Sequence, residues 1–171
     1  ELAERYMAEH ARVKKRPGSV QGDEALLRLH ILPRLANTKV NSVTRSDISQ
    51  LHHGMRKSPG AANRTLSLLS KMFNLAEKWG LRPDGSNPCR HVEKFRERKI
   101  ERFLSADELA RLEAALAEAE RHGVEMPSVL TAIRLLLFTG CRLSEILNLR
   151  WEDLDLDHQR IRLADSKTGP K

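Results

Sequence analysis

Arg142 stands in the run Thr139-Gly140-Cys141-Arg142-Leu143-Ser144-Glu145, two residues beyond a glycine and three ahead of a glutamate. An arginine fixed at such a junction can take two oxygens of a phosphate in a bidentate fork, and its permanent charge needs no proton exchange. Phosphoryl transfer asks for such a group, because negative charge gathers on the non-bridging oxygens as the bond breaks. The spacing equally allows a plain ion pair, Arg142 to Glu145, tying one turn to the next. A second group, Arg64, Lys71 and Lys78, recurs every seven residues. At about 100° per residue these three drift by only about 40° in all, so they form one basic stripe on a helix. Arg28, Arg45 and the run Lys94, Arg96, Arg98 and Lys99 extend the positive character. Such a surface either grips a polyanion or is simply solvated.

Both groups depend on helices to place them. Leu2, Tyr6, His10 and Val13 recur at helical spacing, and Pro17-Gly18-Ser19 is expected to stop that helix before another begins around Val20. The second helix should turn Leu26, Leu29 and Leu32 inward and end near Pro33. Thr44 with Asp47 reads as a capping box ahead of the stripe Ile48, Leu51 and Met55. Ser58-Pro59 starts the helix that bears the basic stripe, with Ala62, Leu66, Leu69, Phe73 and Ala76 on its buried side and Gly80 after Trp79 as terminator.

From Arg82 to Arg102 the pattern is that of a linker, containing Asn87-Pro88 and the basic run, and either a DNA-contacting strap or a flexible tether fits it. Ser105 and Glu108 form another capping box, and Gly123 ends the helix they start. Pro127 opens a further helix, Val129 to Phe138, apolar almost all round and so expected to lie buried within a domain. Gly140 should cap it, and a short helix opened by Ser144 or a neighbour should turn Ile146, Leu147 and Leu149 inward. Trp151 is expected to pack in the core. Ile161 and Leu163 alternate with Arg160 and Arg162, the one strand signal, with a hairpin turn at Lys167-Thr168-Gly169 and a second strand to follow.

The chain has 171 residues, 40% hydrophobic and 4% aromatic, enough for one good-sized domain or two small helical ones. Its charge is uneven. Residues 1–100 hold 20 Lys/Arg against 10 Asp/Glu, and residues 101–171 hold 10 against 13, so the first half carries the excess expected of a nucleic-acid-binding face. Cys89 and Cys141 lack any metal-ligand spacing, so no metal site and no disulfide framework is expected. No run reaches the length of a membrane span, and the absence of a signal peptide and of an initiating Met suggests a piece of a longer, cytoplasmic protein.

The run TGCRLSEILNLRWEDLDLDHQRIRLADSKTGPK resembles the opening of the catalytic domain of the tyrosine recombinases, the phage integrase family, and AANRTLSLLSKMFNLAEKWGL with Asn87-Pro88 resembles the end of the core-binding domain before it. The resemblance implies a mainly α fold. A four-helix, SAM-like core-binding bundle over 1–81 leads through a basic linker, 82–103, to the helical start of an α+β catalytic domain with a short β-hairpin, 104–171. It implies cleavage of DNA by a tyrosine hydroxyl through a 3′-phosphotyrosyl intermediate, without metal or other cofactor.

On that resemblance Arg142 clamps the scissile phosphate, Lys167 is the general acid and Glu145 supports Arg142. Arg64, Lys71, Lys78, Arg28, Arg45, Lys94, Arg96, Arg98 and Lys99 face double-stranded DNA. The family works as a tetramer on DNA; the bacterial cytoplasm, beside the nucleoid, is the implied location. The family's His-x-x-Arg cluster and C-terminal tyrosine do not occur here, and Tyr6, the sole tyrosine, reads as core, so this chain should bind DNA without cleaving it. The alternatives are a non-catalytic helical DNA-binding module and a helical interaction scaffold.

Overall fold

A computed structural model describes residues 1–99, 101–163 and Gly169. They fall into two compact units, Glu1–Ile100 and Glu101–Lys171, mainly helical with one small antiparallel sheet. In the first unit, α1 spans residues 2–14 and α2 residues 17–35, each interrupted by a π-helical segment, Met7–Ala11 and Leu27–Ile31. Two further helices, α3 (Arg45–Gly54) and α4 (Pro59–Lys78), complete the bundle.

The π segments explain where the sequence periodicity misleads. A widened turn advances the inward face by an extra residue. The core therefore takes Tyr6, Met7 and Ala11 from α1 and Leu27 and Ile31 from α2, while Val13, Leu29 and Leu32, expected inside, are exposed. Pro17 starts α2 rather than stopping α1, because a proline at the first helical position forfeits an amide hydrogen that has no partner there. The second helix does end near Pro33, at Leu35, with Pro33 itself in the first turn of the α segment that resumes after Ile31.

On α3 and α4 the ordinary period holds. The Thr44 hydroxyl accepts from Asp47 N at 3.3 Å, and the Asp47 carboxylate accepts from Thr44 N at 2.8 Å, closing the capping box. Ile48 and Leu51 are buried against Leu66, Leu69, Met72 and Phe73 of α4. Gly80, at φ +69°, ends that helix in the left-handed conformation that glycine adopts without strain. The following segment is no free tether. Arg82 stacks over the Phe73 ring at 5.4 Å and donates to the carbonyls of Val40, Val43 and Ser86, and Asn87 and Cys89 are buried.

The second unit holds α5 (Ala106–His122), α6 (Pro127–Thr139), α7 (Leu143–Leu147) and a hairpin of β1 (Leu154–Asp155) with β2 (Arg160–Ile161). Both left-handed caps, Gly123 and Gly140, are present. Leu154 pairs with Ile161 and Asp155 with Arg160, so the partner of the strand signal precedes it. The expected hairpin turn at Lys167-Thr168-Gly169 falls, Gly169 apart, outside the described residues. Contrary to expectation, α6 is not enclosed. Leu130 is buried, but Val129, Leu137 and Phe138 are exposed, because α5, which the Arg134–Glu120 ion pair ties to α6, and the single turn of α7 cannot cover every side of an apolar helix. Leu147 also faces outward, and Trp151, expected in the core, is 85% exposed in a 3₁₀ turn, Trp151–Asp153. Among the described residues no helix is long and apolar enough to cross a membrane.

Candidate nucleic-acid interface

The Arg142 junction is built by chain termination and restart. Gly140 turns α6 off, and Arg142, extended at φ −71° and ψ 150°, becomes the residue before the first turn of α7. Glu145, three residues on, folds back so that its Oε2 accepts from Arg142 N at 2.9 Å and its Oε1 from Arg142 Nη1 at 2.8 Å. The ion pair allowed by the spacing therefore exists, and it anchors the guanidinium without consuming it. The Glu145 side chain is 4% exposed and that of Arg142 46%, with Nε and Nη2 bonded to no partner among the described residues. A buried carboxylate holding one edge of an exposed fork orients the rest of it toward an anion in solvent. Lys167 lies outside the described residues.

The basic stripe is divided by the bundle's relief. Arg64, Lys71 and Lys78 are all exposed on α4. Arg64 and Lys71 also line a groove of about 470 Å³ between α4 and α2, with Ser67 and Leu68 beside them and Ser19, Gly22 and Leu26 opposite. Lys78 is not among its lining residues; it stands two turns further along α4. Lys15 and Asp23 close the groove, Lys15 Nζ donating to Asp23 Oδ2 at 2.6 Å, and Tyr6 Oη donates to the same oxygen at 2.6 Å. Burial and that bond to Asp23 hold the Tyr6 phenol above its ordinary value, as befits a packed tyrosine. Arg28 on α2 and Arg45 in the first turn of α3 are exposed, outside the groove.

Lys94, Arg96, Arg98 and Lys99 are exposed on the segment after α4. That segment meets the stripe at Gly60. The space a Cβ would fill there lies 3.3 Å from Glu97 Oε2 and 3.6 Å from Arg64 Nη2. Sequence reasoning missed the side chains that place this segment, Asn63, His52 and Phe95. The available signal was Asn63 itself, a polar residue on the apolar side of α4 next to Ala62 and Leu66.

Residues 102–171 match the model of the phage integrase family and residues 1–56 that of the phage integrase N-terminal SAM-like domain. A tyrosine recombinase of Thermosipho africanus (strain TCF52B) is 31% identical over 138 residues, which cover 75% of this chain and 46% of the relative. The chain thus spans about half the length of that protein. In fold it is similar to a lambda integrase dimer bound to a COC′ core site, with a TM-score of 0.81 at 19% identity over 98% of this chain and 58% of the other. A lambda integrase tetramer bound to a Holliday junction gives a TM-score of 0.80 at 19% identity, over 98% of this chain and 47% of the other.

Proposed function

The chain belongs to the phage integrase family, and from that premise we propose that it is the DNA-gripping bundle and the first catalytic segment of a site-specific tyrosine recombinase. Residues 1–81 and the linker 82–103 bind duplex DNA, and residues 104–171 open the catalytic domain. The observation that carries this reading is the half-exposed Arg142 guanidinium held by a buried Glu145.

In the reaction that the family resemblance implies, a tyrosine hydroxyl elsewhere in the whole protein attacks phosphorus. The 5′-oxygen leaves with a proton, and the strand is held as a 3′-phosphotyrosyl ester. Arg142 stabilises the non-bridging oxygens as they gather charge, and Glu145 keeps it from turning away. Lys167 is assigned the proton donor's role by its motif position alone. Arg64 and Lys71 in the groove, Lys78 beyond it, and Arg28, Arg45, Lys94, Arg96, Arg98 and Lys99 neutralise phosphates and set the protein on the duplex. Tetramer formation on DNA belongs to the whole protein and is supported by the fold shared with a junction-bound tetramer.

Duplex binding by the 171-residue chain, followed by fluorescence anisotropy across a salt series, tests the interface. The binding constant should fall steeply with salt, and replacing Arg64, Lys71 and Lys78 together by Gln should flatten the slope of log K against log salt by about 2.7, the sum of three phosphate contacts. A slope unchanged by the triple replacement removes the stripe from the interface.

A further inference from the structure

The extended segment after α4 runs back along that helix and is fastened to it at two places. Near the helix's C-terminal end, buried Asn87 donates through Nδ2 to Ser70 O at 3.0 Å and Asn74 Oδ1 at 2.7 Å, while its backbone N donates to Glu77 Oε1 at 2.6 Å. Near the N-terminal end the fastener is Asn63. Its Oδ1 accepts from Phe95 N at 2.9 Å, and its Nδ2 donates to Phe95 O at 2.8 Å and to Glu97 Oε1 at 2.7 Å. One carboxamide thus satisfies both backbone groups of a single residue, as a neighbouring strand would. His52, itself buried, places Nε2 3.2 Å from the same Oδ1 and stacks its ring on Phe95, centroids 4.2 Å apart and planes 10° from parallel.

We propose that Asn63, with His52 and Phe95, is a register latch: it fixes the extended segment so that Lys94, Arg96 and Arg98 project as one row onto the phosphates of a single DNA strand. The inference rests on the DNA-binding reading above. Side chains of an extended segment alternate, so Phe95 turned to the bundle leaves residues 94, 96 and 98 turned away, and all three are exposed. Their spacing of about 6.8 Å is of the order of the separation between successive phosphates along one strand, so each of the three can meet its own phosphate. Register is decisive here, because a slip by one residue would bring Lys94 or Arg96 onto the His52 ring and send Phe95 into water. A buried Asn63 with four partners resists that slip, since each partner lost leaves a polar group unsatisfied.

Asn63→Asp in the 171-residue chain tests the latch, for it removes the donor and sets a carboxylate against Phe95 O and Glu97. Phe95→Ala is the companion variant, acting from the segment's own side without placing a charge in the bundle. Both should speed tryptic cleavage after Lys94, Arg96 and Arg98 about tenfold, the opening expected from losing one or two hydrogen bonds or their equivalent in stacking, with the bundle's cooperative melt retained. Both should also flatten the salt slope of duplex binding, by up to about 2.7.

Unaltered cleavage and slope in both variants overturn the latch. If Asn63→Asp unfolds the bundle, Phe95→Ala decides alone. A chain in which Lys94, Arg96 and Arg98 are replaced by Gln separates the two ideas. If its slope flattens while both latch variants bind as the parent chain does, the latch is wrong and the DNA reading stands. If the unaltered chain binds no duplex at low salt, the reading and the inference fall together.

Discussion

His10 lies beside the groove and reports on it. Partial burial, then the charges of Lys71, Lys14 and Lys15, hold its imidazole below the ordinary 6.5. The folded value is below the unfolded one, so this residue's contribution to stability is whole above pH 6.5 and lost as pH falls through the folded value. A phosphate seated on Lys71 would offset that charge. Duplex DNA should therefore move the His10 titration upward in an NMR pH series, and duplex affinity should rise as pH falls through the same range. A His10 curve unmoved at saturating DNA places Lys71 away from the backbone.

Glu145 offers a second test at this scale. Glu145→Ala frees both the Arg142 backbone N–H and its guanidinium, and chemical denaturation should show the second unit destabilised by about 1–2 kcal/mol. The first unit's transition should stay in place. Arg142 was legible from its motif, as was Glu145 within reach of it. That the glutamate would be buried and the arginine half-exposed was not, because spacing fixes separation along the chain and says nothing about which member meets solvent.

Among the elements, α3 to α6 begin and end where their sequence signals place them, whereas the inward faces of α1 and α2 depart from the ordinary period. Capping boxes, first-turn prolines and terminal glycines act over three or four residues, so Thr44, Ser105, Pro59, Pro127, Gly80, Gly123 and Gly140 were all readable locally. Thr44→Ala should cost the first unit about 1 kcal/mol in thermal or urea melts, the usual loss for a helix cap. The Asp47 carboxylate, held below its usual 3.8 by bonds from the Thr44 amide and hydroxyl, makes part of that contribution dependent on pH. It is complete above the usual value and fades as acid protonates the folded carboxylate, so the gap between wild type and Thr44→Ala should narrow in strongly acidic solution, leaving the share of the Asp47 N–H bond to the Thr44 hydroxyl. The π segments of α1 and α2 had no such local mark. Tyr6, Met7, Ala11, Leu27 and Ile31 join one core cluster with the buried residues of α3 and α4, a grouping that only the assembled bundle shows.

For the molecule as a whole, the two cysteines separate the two units chemically. Cys89 is buried in the first, and burial pushes its thiol up to about 12, whereas Cys141 lies half-buried beside Gly140 in the second. In native protein at neutral pH, a thiol reagent should modify Cys141 promptly, while Cys89 should react only at the rate at which the first unit opens. Equal rates at both positions would mean that the linker carrying Cys89 does not stay packed. Charge shows the same division: the excess of Lys and Arg falls in residues 1–100, where the groove and the strap lie, and Arg142 stands in a unit whose own balance is acidic.

By itself the sequence determined the helical class, the order of elements and the basic character of the first hundred residues, and its motif runs carried the family by resemblance. The first three follow from composition, periodicity and local capping, all of which act along the chain. Only the tertiary structure decided that the linker is bound to α4 through Asn63 and Asn87, that Arg64 and Lys71 share a groove from which Lys78 stands apart, and that Phe138 and Trp151 face solvent. Each of those depends on contacts between residues distant in sequence, where packing shape and unsatisfied hydrogen bonds, and not spacing, set the lowest free energy.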